Sequence, residues 1–250
     1  MGIRSDVSAT NAVRARTDAV VVGAHQPHYL PWLRYFEKIA RCDAFVVLDD
    51  IQYSKNGWQN RNKVKGPNGA ALMTVPVHAP LGESINRVTI DNRANWRRKH
   101  WATIQQCYAR APYANEHLPF FEATYAREWE SLHELNRHMF EYYLEALEIE
   151  TPIFYSSEMG IQGKATDRLV NAVKAVGGTS YYSGAYALDA YLNANTMAAA
   201  GIALVLQEWT VPVYRQLHGD FAPDLAIVDL LMNCGPRARD VLLGEMEHAK

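Results

Sequence analysis

The chain has 250 residues, 48% of them hydrophobic and 21% charged, with 25 Lys plus Arg against 27 Asp plus Glu for a formal net charge of −2. This composition suits one or two packed domains and excludes wholesale disorder and collagen-like repeats. A near-neutral chain also lacks the broad basic footprint of a general nucleic-acid binder. Cys42, Cys107 and Cys234 are an odd number, far apart and without a CxxC pair. They support neither a disulfide framework nor a cysteine-rich zinc site, and a reducing, cytoplasmic setting is expected. The apolar run Met197–Leu206 is broken by Gly201 and is about half the length a membrane span needs, so no membrane association is expected. Arg4 is followed by no apolar stretch, so no signal peptide is expected.

Residues 1–18 are small, polar and unperiodic and read as a disordered tail; residues 19–250 read as a single domain. Ala19–Ala24 (AVVVGA) is a buried-strand pattern, His25–Leu30 a loop, and Pro31 suits the first turn of a helix continuing to Ala40. Leu33, Phe36 and Ala40 form its apolar stripe, with Tyr35 and Ile39 beside it. Ala44–Leu48 is a second buried strand. Together they predict a βαβ unit with parallel strands. Arg61–Lys65 and Ala71–Val77 flank an Asn-Gly turn and predict a β-hairpin. Arg87–Asp91 is a further strand candidate. Helices are expected over Asn95–Ala109, Leu118–Tyr125 and Ser131–Leu147, the last carrying the stripe Leu132, Leu135, Met139, Tyr143, Leu147. Alternation then returns. Strands fall at Ile153–Ser156, Ser180–Tyr182 and Ile202–Leu206. Helices fall at Thr166–Val176, Tyr186–Leu192, Thr196–Ala200, Leu225–Met232 and Arg237–Met246. The expected fold is α/β: a parallel, Rossmann-like sheet with an inserted hairpin and helical lobe over about residues 61–148.

Open parallel sheets bind ligands beyond the carboxyl ends of their strands. After the first strand come His25, Gln26, Pro27, His28 and Tyr29; after the second, Asp49, Asp50 and Gln52. A histidine near its ordinary pKa of about 6.5 serves as a base or acid at neutral pH. His25 and His28 are therefore the candidate bases. Asp49 and Asp50 point opposite ways on an extended backbone, so one can orient a histidine while the other meets substrate or caps the loop. The stretch Ser54–Lys65 is rich in amides and cations. Trp58, Gln59, Asn60, Arg61 and Asn62 are candidate substrate-binding residues, and Ser183-Gly184 a candidate anion nest. HxxH spacing off a helix is a weak zinc signal, and no metal is expected. Gly160–Thr166 lacks P-loop spacing, and a helix C-cap accounts for Cys234.

The run HQPHYLPWLRYFEKIARCDAFVVLDDIQYSKNGWQNRN resembles the WbqC-like protein family. Trp101–Pro112, Pro119–Glu122, Ser183-Gly184, Ala190–Asn193 and Phe221–Pro236 extend the likeness across about residues 20–240. The resemblance implies a small-molecule tailoring enzyme of polysaccharide or natural-product biosynthesis. It also implies amide formation, with an acyl or aminoacyl group moving from a thioester to an amine. A phosphopantetheine-bound donor, on an acyl or peptidyl carrier protein, and a small amine or amino-sugar acceptor fit that chemistry, which needs no cofactor of its own. The matched positions are His25, Gln26, Pro27, Tyr29, Asp49, Asp50, Gln52, Trp58–Asn62, Ser183, Gly184, Gln216 and Asp229. Tyr186, Leu188 and Arg215 depart from the expected pattern. Two readings compete with acyl transfer. One is nucleotidyl transfer of the HIGH-motif type, whose paired Gly-His is missing after Pro27. The other is a non-catalytic module for a carrier protein or sugar nucleotide.

Overall fold

The computed structural model describes residues 19–184 and 186–245. The tail assigned to residues 1–18, and Met246 at the end of the last expected helix, lie outside them. Strand β1 (Val21–His25) runs through helix α1 (Leu33–Ala40) into β2 (Ala44–Val47), and the two strands are parallel. The excursion that follows holds the antiparallel pair β3 (Arg61–Gly66) and β4 (Gly69–Thr74), then β5 (Val77–His78) and β6 (Thr89–Ile90). Helices α2 (Trp96–Tyr108), α3 (Ala114–Ala126) and α4 (Leu132–Ala146) complete it. The chain then re-enters the sheet as β7 (Ile153–Tyr155), with α5 (Ser156–Met159) and α6 (Ala165–Ala175) leading to β8 (Ser180–Gly184). Short helices α7 (Tyr186–Ala190) and α8 (Ala194–Ala199) precede β9 (Ala203–Gln207). A stretch without regular structure leads to α9 (Ile227–Cys234) and α10 (Ala238–Leu243).

The five-stranded sheet has the order β7-β2-β1-β8-β9, every pair parallel. In chain order its strands run 3-2-1-4-5, so the topology reverses between β1 and β8. Side chains alternate between the two faces of a strand. Val22, Ala24, Ala44, Val46 and Tyr181 meet Leu169, Val173 and Met197 of α6 and α8 on one face. On the other, Phe45, Val47 and Tyr155 share a core with Phe36 of α1, Leu135 and Met139 of α4, and Ile227 of α9. The inserted lobe is thus welded to the sheet through α4, whose Leu132, Leu135, Met139 and Tyr143 are fully buried, as the sequence stripe predicts. The start of α4 is fixed by Ser131, whose hydroxyl accepts from the Glu134 amide (3.3 Å).

Three of the boundaries that differ from expectation bear on the site. His25 closes β1 instead of opening a loop, because it still pairs with Val47. Ser183 and Gly184 are the last residues of β8, paired with Leu206 and Gln207, so they form no nest after the strand. Pro31 precedes the helix instead of entering its first turn. A bridge between Trp32 and Ala226 holds Trp32 extended, and α1 starts at Leu33.

Gly178 shows how closely α6 approaches the sheet. A Cβ there would sit 2.5 Å from Val22 Cγ2, 2.7 Å from Val173 Cγ1 and 2.9 Å from the Val173 carbonyl. We expect Gly178→Ala to destabilise the fold by roughly 1–3 kcal/mol, as forced overpacking does. Urea unfolding should show a lower midpoint at unchanged slope; an unaltered midpoint would contradict the packing described.

Candidate active site

The HQPH loop leaves the carboxyl end of β1 and is held on all sides. Gln59 Nε2 donates to Gln26 Oε1 (2.8 Å), the Tyr35 hydroxyl donates to the Gln26 carbonyl (3.2 Å), and the Tyr29 amide donates to the Trp58 carbonyl (3.3 Å). Asn62 Nδ2 donates to the carbonyl of Leu30 (2.6 Å), a bulky residue held at φ 49°, in the strained left-handed region. The loop therefore has one enforced shape.

That shape puts His28 against helix α4. A narrow recess lies between them, lined by Pro27, His28, Tyr35, Val47, Tyr155 and, from α4, His133, Asn136, Arg137 and Phe140. His28 is buried, and neither ring nitrogen has a hydrogen-bond partner. Its ring lies 4.7 Å from that of His25 and 5.3 Å from that of Trp32. His133 Nδ1 and Asn136 Oδ1 are also buried and unpartnered. Buried polar groups are almost always satisfied, so four such atoms around one recess make it the candidate site for a bound polar group.

His133 Nε2 lies 3.7 Å from Asp49 Oδ2. Asp49 is itself fixed by the Ser157 amide (2.9 Å), the Ser157 hydroxyl (2.6 Å) and the Ser156 hydroxyl (3.2 Å). A carboxylate facing Nε2 favours the tautomer protonated there, which leaves the Nδ1 lone pair available. The separation is looser than a formed hydrogen bond. Burial holds the His133 imidazole below its ordinary pKa, against the raising effect of Asp49. Burial likewise depresses His28, with His25 and Lys38 adding to it. Burial, then the Lys38 charge, pushes His25 down to about 4, although its Nδ1 lies 2.9 Å from the Gln26 carbonyl. The histidines around the recess are therefore neutral at neutral pH and able to accept a proton.

Several expected roles do not match the geometry. Neither aspartate pairs with His25 or His28: Asp49 faces His133, and Asp50 turns to Arg168 and the Ser156 hydroxyl. Burial raises the Asp50 carboxyl, but those two partners outweigh it and hold it below the usual range. The amide cluster faces inward. Gln59, Asn60 and Asn62 are buried; Gln59 holds the Gln26 side chain, while Asn60 donates to the Val75 carbonyl (2.7 Å) and Asn62 to that of Leu30, so they brace the fold instead of lining the recess. Tyr29 is buried against the lobe, its hydroxyl meeting Tyr125 (2.6 Å) and His100 (2.8 Å). Trp58 packs on Trp32 (4.7 Å), Arg61 donates to Asn56, and Gln52 is exposed in a bridge to Ser84. The buried Ser183 hydroxyl donates to the Gly184 carbonyl. Gln216 accepts from Lys65 and the Ala222 amide, fixing the segment before α9, and Asp229 is buried between the Tyr108 and Tyr214 hydroxyls. The sequence reading omitted His133, Asn136 and Arg137. Their signal is a polar i, i+3, i+4 row along α4, beside its apolar stripe.

Fold and recess together define an α/β protein built on an open parallel sheet, with a histidine-lined hollow at the carboxyl edge. The chain belongs to the WbqC-like protein family, whose model matches residues 26–241. It is 32% identical over 221 residues to Uncharacterized protein Rv1507c of Mycobacterium tuberculosis, covering 87% of this chain and 95% of that protein. No solved structure matches it. No helix among the described residues is long and apolar enough to cross a membrane.

His25 gives the site a pH signature. Between pH 6.5 and about 4 its imidazole is neutral in the native state and protonated in the unfolded chain. The unfolded state then binds more protons, so stability is complete above pH 6.5 and falls as the pH drops through this window. The expected slope is roughly 1.4 kcal/mol per pH unit from His25, with His28 adding in the same direction. Urea midpoints collected down the window should fall, and His25→Gln should flatten the fall. A wild-type midpoint constant with pH would refute the neutral-histidine assignment.

Proposed function

We propose that this protein is a small-molecule transferase that forms amides, moving an acyl or aminoacyl group from a thioester to an amine in the recess between the HQPH loop and α4. The observation that carries this reading is the set of unspent buried atoms: both nitrogens of His28, Nδ1 of His133 and Oδ1 of Asn136. An amine acceptor presents N–H donors, and Asn136 Oδ1 and an imidazole lone pair are what such donors require. The amine nitrogen attacks the thioester carbonyl carbon, and a C–N bond forms as the C–S bond breaks. His133, oriented by Asp49, takes the proton released from the amine and passes it to the departing thiolate. His28 is the second imidazole and holds the amine or the developing oxyanion. Arg137, whose guanidinium lies 4.1 Å from the Tyr155 ring centroid, forms the rim. The donor is read as a phosphopantetheine thioester and the acceptor as a small amine or amino sugar, with no cofactor consumed. The sequence resemblance supports this reading; family membership itself carries no activity.

The test is incubation with acyl-pantetheine thioesters and a panel of amines and amino sugars, following free thiol and the mass of the amide. His133→Ala and His28→Ala should each lower kcat/KM by about 10²–10⁴-fold, the usual range for a general base. Asp49→Asn should lower kcat more than it alters KM. The acid limb of the kcat/KM profile should fall below pH 6.5, because both pKa values are depressed. Full activity in both histidine variants, or amide formation that requires ATP with pyrophosphate release, would overturn the assignment.

A further inference from the structure

The polar side chains around the recess have spent their donors and kept their acceptors. Asn136 Nδ2 donates to the Gln59 carbonyl (2.8 Å), which fixes the orientation of the amide and leaves Oδ1 buried without a partner. The Tyr35 hydroxyl donates to the Gln26 carbonyl (3.2 Å). Arg137 donates through Nε to Glu141 (3.1 Å) and through Nη1 to Glu158 (2.8 Å). With the His133 N–H turned to Asp49 (3.7 Å), Nδ1 of that ring is left as a buried lone pair. His28 is a neutral imidazole with neither nitrogen engaged, and it contributes one acceptor and one donor. Three acceptors (Asn136 Oδ1, His133 Nδ1 and one nitrogen of His28) therefore stand against that one donor around a single recess.

Charge and size run the same way. Asp49 is 1% exposed, and its partners are the Ser156 and Ser157 hydroxyls, the Ser157 amide and His133. Among the described residues, no lysine or arginine pairs with it. The Arg137 charge is matched by its two glutamates, and Lys38 is not one of the residues lining the recess. The space is on the scale of a single water molecule. A carboxylate or phosphate is larger than that and would meet mostly lone pairs. A primary ammonium is the size of a water molecule, carries a positive charge and brings three N–H donors with no acceptor.

We propose that the recess between the HQPH loop and α4 is a receiving site for one primary ammonium group, whose N–H bonds go to Asn136 Oδ1, His133 Nδ1 and His28. The ligand class is a compound that ends in an unsubstituted ammonium. Methylation of that nitrogen removes the donors and adds bulk, and an anion has too few donors to meet. That this group belongs to the acyl acceptor rests on the transfer reading; its binding does not.

Titration of the histidine-labelled full chain with methylammonium chloride at constant ionic strength tests the site without turnover, with tetramethylammonium chloride and sodium acetate as matched probes. Methylammonium should move the imidazole resonances of His28 and His133 saturably, and the other two probes should leave them in place. His28→Phe takes away two nitrogens that nothing else in the fold uses. It should therefore fold like the wild type and lower the methylammonium affinity by about tenfold or more. Should that variant fail to fold, the three probes on the wild-type chain still decide. The absence of a saturable shift with methylammonium would mean that water fills the recess, and it would overturn the proposal. Tetramethylammonium or acetate binding as tightly as methylammonium, or undiminished binding by His28→Phe, would overturn it too. Amide formation by a chain that binds no methylammonium would sink only this site; methylammonium binding with no amide formed from any donor would sink only the transfer reading.

Discussion

The site depends on a loop that cannot relax. Four hydrogen bonds hold the residues between β1 and α1: three involve residues 58–62, from Gln59, to the Trp58 carbonyl and from Asn62 to Leu30, and one comes from Tyr35 of α1. Leaving a buried backbone carbonyl unmatched costs about 1–3 kcal/mol, similar to the strain of a bulky residue at positive φ. The Asn62 contact therefore stabilises the Leu30 conformation on the scale at which that conformation is unfavourable. The same bracket reaches α4, because the Gln59 carbonyl accepts from Asn136 Nδ2 (2.8 Å). Loop and helix, the two walls of the recess, are thus tied through one glutamine, and their separation is set before any ligand arrives. Preorganisation of this kind removes an ordering cost from binding.

The parts of the fold legible in the sequence are those with a local period. Apolar runs mark β1 and β2, the stripe Leu132–Tyr143 marks α4, and an Asn-Gly turn marks the β3–β4 hairpin, because burial of one face imprints itself on the chain. Half of the site is legible by the same route: His28 is visible because it follows the first strand of a parallel sheet. His133 is not, because its role exists only once α4 lies across the carboxyl edge, and no local pattern reports a contact between residues 49 and 133. The amides mislead for a physical reason. Gln59, Asn60 and Asn62 serve equally well for binding ligand or for satisfying buried carbonyls, and composition cannot separate these uses. A strained loop beneath a hairpin creates exactly such an internal demand, and it is visible only after folding.

Burial gives the histidine cluster its chemical character. In water an imidazole spends part of its time charged near neutrality; beside Tyr35, Phe140 and Lys38 the charged form is penalised, and the lone pairs are retained. This favours a base over an acid and a neutral acceptor over a cation. Proton acceptance falls to these imidazoles and structural ion pairing to other residues.

Asp49 and Asp50 complete that division. Consecutive residues on an extended backbone face opposite ways, and here each direction has a distinct partner: His133 on α4 for one, Arg168 on α6 for the other. The α6 contact clamps the helix covering one face of the sheet to its carboxyl edge. The α4 contact reaches across the other face into the recess. Because the Ser156 hydroxyl lies within hydrogen-bond reach of both carboxylates, moving α6 would disturb Asp49 through Asp50. The structural aspartate is thus coupled to the orienting one through a single hydroxyl.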